Sequence, residues 1–334
     1  MARAWLGALV GGILALSGGC GVALAQPRQD FDGWLAGVRS EALKRGISQA
    51  TVDATLADIK PIERVIELDR RQPEFTMTFE QYMAHVVSAE RVDNGRRHLV
   101  HQKKVLKAVA GRYGVPAPVV VAMWGIESDY GRSAGSFAVL PALATLAYDG
   151  RRSRYFRGEL IDALKMVDEG VPSARMRGSW AGAMGQCQFM PSTYVKYARR
   201  WAGAGKPDIW TTPPDVFASA ANYLAKIGWN PRQRWGRAVQ LPKHGMAPVL
   251  FGLETTRSLG EWRKLGLRQA DGKRLPGPAH MQASLVRAET GKEGDAGHGP
   301  PYLVYDNFRV LMKWNRSVFF ALAAGTLADR LSNQ

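Results

Sequence analysis

The spacing of apolar residues changes close to Gly228 and changes back after residue 305. Before Gly228, apolar residues recur every three or four positions, which is the period of amphipathic helices. Between residues 235 and 305, short β-like runs alternate with turns rich in Gly and Pro, and the helical period then returns. The pattern predicts a mainly α (α+β) fold in which a small β-containing segment precedes the last helix.

Proline, glycine and capping residues mark the ends of the elements. Ser258 with Glu261 forms a capping box, which predicts a short helix among the β-like runs. The four acids of the helix at 155–169 are expected on a solvated face: Glu159, Asp162, Asp168 and Glu169. The other predicted elements are helices within 28–112, at 116–131, 191–201, 214–228 and 310–331, β-like runs at 239–241, 249–251, 284–288 and 302–305, and a loop at 290–301.

The first 25 residues have the features of a secretory signal peptide. Arg3 gives a positive start, an apolar stretch runs from residue 6 to 16, and Ala23-Leu24-Ala25 is a cleavage signal. We therefore predict a periplasmic protein. An outer-membrane lipoprotein anchored through Cys20 is the weaker alternative, because Ser17 stands where such a signal usually has Leu.

The chain carries 45 Lys and Arg against 29 Asp and Glu, a formal net charge of +16. Removal of residues 1–25 takes away Arg3 and no acid and leaves +15. An exported chain of this charge favours a polyanionic partner, such as a cell-wall polymer or the surface of the cell envelope, and export argues against nucleic acid. Cys187 would be the only thiol of the mature chain, so no internal disulfide is expected. Such a thiol is either a nucleophile or, more often, buried and inert.

Glu127 is the most informative single position. It follows a nearly unbroken apolar run and lies close to a predicted helix C-terminus. Burial and the negative end of a helix dipole both raise the pKa of a carboxyl, and a carboxyl that stays protonated near neutrality suits a general acid in glycosidic cleavage. The alternative is an ordinary glutamate that faces water or pairs with Arg132.

A second region, GSWAGAMGQCQFMP at 178–191, combines small residues with Ser179, Gln186 and Gln188. Small residues let a backbone approach a bulky ligand, and side-chain amides can bind hydroxyl and acetamido groups. The alternative is a tight turn between helices. His98 and His101 have no third ligand nearby in sequence, so a metal site is not expected there.

Six segments, in order along the chain, resemble the membrane-bound lytic murein transglycosylase B family. The most specific is GSWAGAMGQCQFMPSTY at 178–194, and GIESDYG at 125–131 is similar to the Glu-Ser/Thr signature of lytic murein transglycosylases. The others are RQPEF (71–75), ALATLAYDGRRSRYFRGEL (142–160), ANYL (221–224) and KWNRS (313–317).

The resemblance implies a lysozyme-like helical core with an N-terminal helical domain and a small β-containing inserted domain. We place the boundaries at 26–115 for the N-terminal domain, 116–234 for the core, 235–305 for the β-containing domain and 306–334 for a C-terminal helix that returns to the core. The implied activity is cleavage of the MurNAc-β-1,4-GlcNAc bond of peptidoglycan without water, which leaves 1,6-anhydro-MurNAc ends. A hydrolytic muramidase and an inactive wall-binding scaffold are the alternatives.

The resemblance also assigns residues. Glu127 matches the sole catalytic acid and base, and Ser179 matches a residue near the MurNAc subsite. Trp314 stands where many relatives have Tyr. The remaining matches are Gln188 and Phe189 in the glycan groove, Arg151 and Arg152 near a peptide or lactyl carboxylate, Tyr223 as a groove tyrosine, and Asn315 reached from the final segment.

No cofactor or metal is expected. Some relatives carry a calcium loop after the helix that begins at Pro191, but here the stretch is WAGAGKPDIW at 201–210. Calcium needs several oxygen ligands, and Asp208 and Asp215 alone are too few. The partner implied is the peptidoglycan glycan strand, with possible peripheral contact to the envelope, and a monomer is favoured.

Overall fold

The structure, a computed structural model, describes residues 30–71, 77–289 and 297–332. The predicted signal peptide, Cys20 and residues 72–75 of the first motif lie outside the described residues. Within them the helices are α1 Phe31–Lys44, α2 Gln49–Leu56, α3 Glu63–Arg71, α4 Phe79–Val86, α5 Ala89–His101, α6 Lys103–Tyr113, α7 Ala117–Ser128, α8 Val139–Asp149, α9 Ser153–Asp168, α10 Pro191–Tyr197, α11 Pro213–Lys226, α12 Leu259–Lys264, α13 Asp306–Trp314 and α14 Val318–Ser332.

Two antiparallel sheets accompany the helices in the described part of the chain. The strands are β1 Phe137–Ala138, β2 Arg177–Gly178, β3 Gly236–Gln240, β4 Arg257–Ser258, β5 Arg268–Gln269, β6 Gln282–Glu289 and β7 His298–Val304. β1 pairs with β2, and the other five strands form a sheet in the order β4-β6-β7-β3-β5. The mainly α class with a small β-containing part is as predicted.

The described chain divides into two compact units. The first comprises residues 30–71 and 124–220, and the second comprises residues 77–123 and 221–332, apart from 290–296. Helices α7 and α11 each pass through a boundary between them. The predicted boundaries at 115, 234 and 305 stay a prediction.

The first unit is built around α8 and α9, which pack against each other. All residues of α8 from Val139 to Ala147 except Pro141 are buried, which follows from its nearly continuous apolar sequence. α9 shows the periodic pattern of a helix with one buried face and also contacts α10, α1 and α2.

The second unit has its own apolar core beneath the five-stranded sheet. Trp262 of α12 is fully buried there, and its indole N–H donates to the Ala283 carbonyl at 3.0 Å. The Ser258–Glu261 capping box is present at the start of α12, as predicted. The core residues are Val239, Leu259, Trp262, Leu267, Leu275, Ala283, Leu285, Leu303 and Tyr305.

Within the described residues, no single helix is both long and apolar enough to cross a membrane. Helices α6 and α7 taken together are long and apolar enough by length and composition, but they are separated by a bend of 108°.

The final helix is broken, whereas a continuous helix was predicted from residue 310 to 331. α13 ends at Trp314, Asn315 takes an extended backbone, and its Oδ1 accepts the Ser317 N–H at 3.0 Å. The Ser317 hydroxyl then accepts the Phe320 N–H at 3.3 Å in the first turn of α14. These side-chain bonds compete with the helical backbone pattern and separate the two helices.

Three other element predictions were wrong. The helix that starts at Pro191 ends at Tyr197 rather than Trp201, and the Arg199 N–H instead donates to the Ser219 hydroxyl at 2.9 Å. The run at 249–251 begins as a 3-10 turn, Pro248–Leu250, favoured by its initial proline. Part of the predicted loop at 290–301 is strand, because residues 298–301 pair with β6.

The Glu159 side chain is 5% exposed, so it does not lie on a solvated face. Its two carboxylate oxygens accept the backbone N–H of Ser192, at 2.9 Å, and the Ser192 hydroxyl, at 2.7 Å, at the start of α10. Burial raises the pKa of Glu159, and the Ser192 hydrogen bonds oppose this rise only in part. A capping contact outside its own helix therefore explains the burial of this acid.

The raised pKa of Glu159 makes stability depend on pH. Its carboxyl binds a proton more readily in the folded chain than in the unfolded one, so its ionisation disfavours folding as pH rises above the ordinary value of 4.5. We expect Glu159→Gln to gain stability relative to wild type between pH 4.5 and the raised folded pKa, and the difference to level off above it. Unfolding temperatures of both proteins across that range test this. A difference that is constant with pH would contradict it.

Candidate active site

Glu127 lies in the last turn of α7, followed by a backbone in an unusual conformation. α7 ends at Ser128, three residues before Gly131, where the sequence predicted the end of the helix. Asp129, Tyr130 and Gly131 have φ angles of 50°, 59° and 87°, all in the left-handed region. A left-handed conformation costs a non-glycine residue about 1–2 kcal/mol, and such strain is concentrated at functional sites.

Local contacts hold this turn in place. The Gly131 N–H donates to the Ser128 hydroxyl at 3.1 Å, and the Ser133 N–H donates to the Ser128 carbonyl at 2.8 Å. A side chain at Gly125 would meet the Tyr130 ring at 2.7 Å, so the absence of a Cβ there lets the ring fold back against α7.

The Glu127 side chain is 6% exposed. The water-facing form of the alternative therefore does not hold, and the pairing of Glu127 with Arg132 stays a prediction. The Arg132 guanidinium lies 2.8 Å from the Asp129 carboxylate. One turn before Glu127, the buried Trp124 packs edge-to-face on Tyr130 and on Phe217 of α11.

The second motif folds into a closely packed turn. The Ser179 N–H donates to the Ala183 carbonyl at 2.7 Å, and the Ser179 hydroxyl accepts the Ala183 N–H at 3.0 Å. A Cβ at Gly178 would lie 2.0 Å from the Ala183 oxygen, so only glycine fits at that position. Ser179 is fully buried, and its hydroxyl serves the turn in this structure. Its contact with MurNAc stays a prediction.

Gln186 joins this turn to the helix that carries Glu127. Its Oε1 accepts the Trp124 indole N–H at 2.7 Å, and its Nε2 donates to the Trp210 carbonyl at 2.7 Å. Its backbone N–H donates to the Ile209 carbonyl at 2.8 Å. The sequence suggested sugar binding for the Gln186 amide, but these contacts show that it links α7, the second motif and the loop before α11.

Gln186→Leu should loosen this link. The substitution leaves the buried Trp124 N–H without its acceptor, which costs about 1–3 kcal/mol. We expect a loss of stability of that size together with slower cell-wall lysis, measured by denaturant unfolding and by turbidity of a wall suspension. Thr193→Val, on the neighbouring helix α10, is a matched polar-to-apolar control. Unchanged stability in Gln186→Leu would contradict the linking role.

Cys187 is buried in the same cluster, and its thiol lies 3.4 Å from the Val216 carbonyl. Burial raises the pKa of this thiol well above its ordinary value, and Glu127 in its ionised form raises it further. A thiol held in this protonated form does not suit a nucleophile. The burial of the thiol favours the buried, inert alternative.

Gln188 and Phe189 complete the turn. Gln188 has a left-handed φ of 49°, and its Nε2 donates to the carbonyls of Ala134, at 3.0 Å, and Gly185, at 2.8 Å. Its Oε1 is buried and has no hydrogen-bond partner within the described part of the chain. Phe189 is buried. Their predicted roles in a glycan groove stay predictions.

Arg151 and Arg152 share one buried carboxylate that the sequence did not single out. Asp69 of α3 lies 2.9 Å from Arg151 Nε and 2.5 Å from Arg152 Nη2. Asp69 is 83 residues from Arg152 along the chain, so no local pattern links them. The structure thus joins the arginine pair to α3, and its contact with a substrate carboxylate stays a prediction.

The two remaining predicted residues belong to the second unit. The Tyr223 ring of α11 lies 4.9 Å from the Trp314 ring of α13, measured between centroids and at a tilt of 40°. Asn315 follows Trp314 directly and is buried in the break before α14. The structure therefore brings Tyr223 close to the KWNRS motif.

Two buried carboxylates hold the loop at 201–210, where the sequence predicts no calcium site. Asp208 accepts hydrogen bonds from Thr211 and Trp210, and Asp215 accepts the Trp201 N–H at 2.8 Å. Burial raises the pKa of Asp208, but these hydrogen bonds and the charge of Arg175 outweigh it and lower the pKa. In the described ranges, no three His, Cys, Asp or Glu side chains are grouped as metal ligands. The absence of calcium stays a prediction.

Comparison with known proteins gives matches over nearly the whole described chain. Residues 30–329 match the family described as Transglycosylase SLT domain. The chain is 31% identical over 301 residues to membrane-bound lytic murein transglycosylase B of Escherichia coli K12, an alignment that covers 86% of this chain and 80% of that protein.

Solved structures agree with this match. SltB3 from Pseudomonas aeruginosa in complex with NAG-NAM-pentapeptide is 42% identical with a TM-score of 0.86, and the match covers 92% of this chain and 80% of that one. SltB3 in complex with NAG-anhNAM-pentapeptide is 42% identical with a TM-score of 0.85, and the match covers 91% of this chain and 80% of that one. The Escherichia coli lytic transglycosylase Slt35 in complex with bulgecin A is 29% identical with a TM-score of 0.75, and the match covers 89% of this chain and 92% of that one.

The matched fold has the lysozyme-like helical core that the resemblance implied, so the predicted fold class is confirmed. The family match includes Glu127, the second motif and the KWNRS motif. The chain therefore belongs to the transglycosylase SLT domain family and is a lytic transglycosylase.

Proposed function

We propose that this protein cleaves the MurNAc-β-1,4-GlcNAc bond of peptidoglycan without water and leaves 1,6-anhydro-MurNAc ends, with Glu127 as acid and then base. The observation that carries the proposal is the burial of Glu127 at the end of α7, one turn after Trp124, whose indole N–H is hydrogen-bonded to Gln186 of the second motif. The SltB3 complexes with NAG-NAM-pentapeptide and NAG-anhNAM-pentapeptide support peptidoglycan as the substrate.

In the first step, protonated Glu127 gives its proton to O4 of the leaving GlcNAc while the bond from C1 of MurNAc to that oxygen breaks. The N-acetyl oxygen of MurNAc stabilises the positive charge at C1. The Glu127 carboxylate then takes the proton of the C6 hydroxyl of MurNAc as O6 attacks C1. Glu127 ends protonated, as it began, and no water is consumed.

A single carboxyl is enough for this sequence of steps. Ordinary glycosidases use two carboxyl groups, because one must activate water or attack the sugar. Here the attacking hydroxyl belongs to the substrate, so the reaction is intramolecular and loses little translational entropy. Acid and base catalysis by a positioned carboxyl contributes a factor of about 10²–10⁴.

The other residues bind and orient the glycan in this proposal. Ser179 and Asn315 hold the acetamido group and the C6 hydroxyl, and the buried, strained Gln188 lines the glycan groove with Phe189. Tyr223, with Trp314 beside it, offers an aromatic face to a sugar. Arg151 and Arg152 attract a peptide or lactyl carboxylate.

We place the protein in the cell envelope. The relative in Escherichia coli is named as membrane-bound, and the net charge of +16 favours an anionic surrounding. Export to the periplasm by the signal peptide is part of the proposal.

Product analysis tests the proposed reaction. Purified peptidoglycan is digested with the protein, and the muropeptides are weighed by mass spectrometry. Anhydro ends, lighter by one water than reducing ends, are the expected product. Reducing ends would show a hydrolytic muramidase instead, and undigested wall with bound protein would show an inactive scaffold.

A further inference from the structure

A cavity of about 380 Å³ lies within the first unit, lined mainly by α1 and α9. None of its lining residues belongs to the cluster around Glu127 or to the pair Arg151 and Arg152. Three arginines line it, Arg45, Arg154 and Arg157, together with a single acid, Glu41. The cavity therefore carries an excess of positive charge.

Glu41 neutralises only part of this charge. Its Oε1 lies 2.8 Å from Arg45 Nη2, and its Oε2 lies 2.6 Å from Arg157 Nε. Partial burial raises the pKa of Glu41, but hydrogen bonds and charge from Arg157 and Arg45 outweigh this and lower the pKa. The acid is thus ionised and engaged on both oxygens, and among the residues that line the cavity one negative charge faces three positive ones.

Arg154 is the residue that remains without compensation. It is exposed, and among the described residues it has no hydrogen bond or ion pair. A guanidinium offers five N–H donors in a planar fork, which matches the two oxygens of a carboxylate.

One wall of the cavity is aromatic. The Arg157 guanidinium lies over the Trp34 ring at 5.6 Å, and Trp34 also packs on Phe31 and Tyr148. The indole is therefore held in place, and it offers apolar surface close to the cationic groups. A ligand with both a carbon skeleton and a carboxylate uses both features, whereas a bare phosphate uses only the charge.

We propose that this cavity binds a carboxylate of a small acidic peptide, with Arg154 as its principal partner. Its volume lies within the range of ligand pockets, about 300–1,000 Å³, and suits one or two peptide residues. The inference rests on the proposed function only for the natural source of the peptide, which would be the cell wall. Binding itself requires no bond cleavage.

Titration calorimetry on the full chain tests the inference. The probes are N-acetyl-Ala-Glu, its diamide, and inorganic phosphate. We expect the dicarboxylate to bind and to shift the Trp34 indole signal in an NMR spectrum, and the diamide not to bind. Arg154→Gln should weaken binding at least tenfold, since hydrogen bonds to a charged group contribute about that much.

Two further variants make the result specific. Lys107→Gln removes the same charge from an exposed position on α6 and should leave binding unchanged. Arg154→Lys keeps the charge but loses the planar fork, so it should still weaken binding of the dicarboxylate. Equal binding of the diamide, equal losses in Arg154→Gln and Lys107→Gln, or phosphate binding as tight as the dicarboxylate would each overturn the inference.

The outcome is separable from that of the proposed function. Glu127→Gln should bind the dicarboxylate as wild type does while it cleaves no wall. If wild type releases anhydro ends but the cavity binds nothing, the cavity inference alone fails. If the cavity binds and no anhydro ends form, the proposed function alone fails.

Discussion

Glu127→Gln should abolish cell-wall lysis and leave the fold intact. The amide cannot give a proton to the leaving oxygen or take one from the C6 hydroxyl, so both steps lose their catalyst. The expected loss of rate is about 10²–10⁴-fold or more, because one group serves twice. Turbidity of a wall suspension and mass spectrometry of the released muropeptides measure it, and the unfolding temperature reports on the fold.

Glu159→Gln is the matched control. Glu159 is the same residue type in the same unit and is buried to the same degree as Glu127, at 5% and 6% exposure. It serves α10 through Ser192 and takes no part in the proposed reaction. We expect this variant to lyse walls at the wild-type rate. Persistent lysis by pure Glu127→Gln, or equal losses in both variants, would refute the assignment.

The second large effect is expected at Gly135, which supports the turn of the second motif. A Cβ there would lie 2.2 Å from the carbonyl carbon and oxygen of Gly178, and the residue has a φ of +90°. Overpacking and left-handed strain together cost about 2–5 kcal/mol. We expect Gly135→Ala to lose stability by that amount in urea unfolding, and to lose lytic activity as the turn shifts.

Gly46→Ala separates the two causes. Gly46 has nearly the same backbone angle, a φ of +83°, but a Cβ there meets nothing within 4 Å. This variant should lose only the strain of about 1–2 kcal/mol and keep its activity. Equal losses in the two variants would show that the close approach at Gly178 does not matter.

The end of α7 shows which features the sequence predicts and which it does not. The apolar run before Glu127 predicts a buried helix, and the helix forms. Its last residue was placed too late, because the left-handed turn depends on the Tyr130 ring folding back over Gly125. That contact depends on how the two residues pack in three dimensions, which the spacing of apolar residues does not show.

The sequence did not predict the long-range polar contacts, for the same reason. Gln186 is 62 residues from Trp124, and Asp69 is 83 residues from Arg152. Each side chain taken alone looks like a free amide or an ordinary surface charge. The predicted solvated face of α9 was wrong at Glu159 because Ser192, 33 residues away, supplies its partners.

The sequence by itself determined the mainly α class, the position of most helices and strands, and the motifs that led to Glu127, because helical period, end signals and short motifs are local. Only the tertiary structure decided which polar side chains are buried, which acids are engaged, and where a cationic cavity forms between α1 and α9. Burial and pairing depend on neighbours distant in sequence, and only packing brings them together.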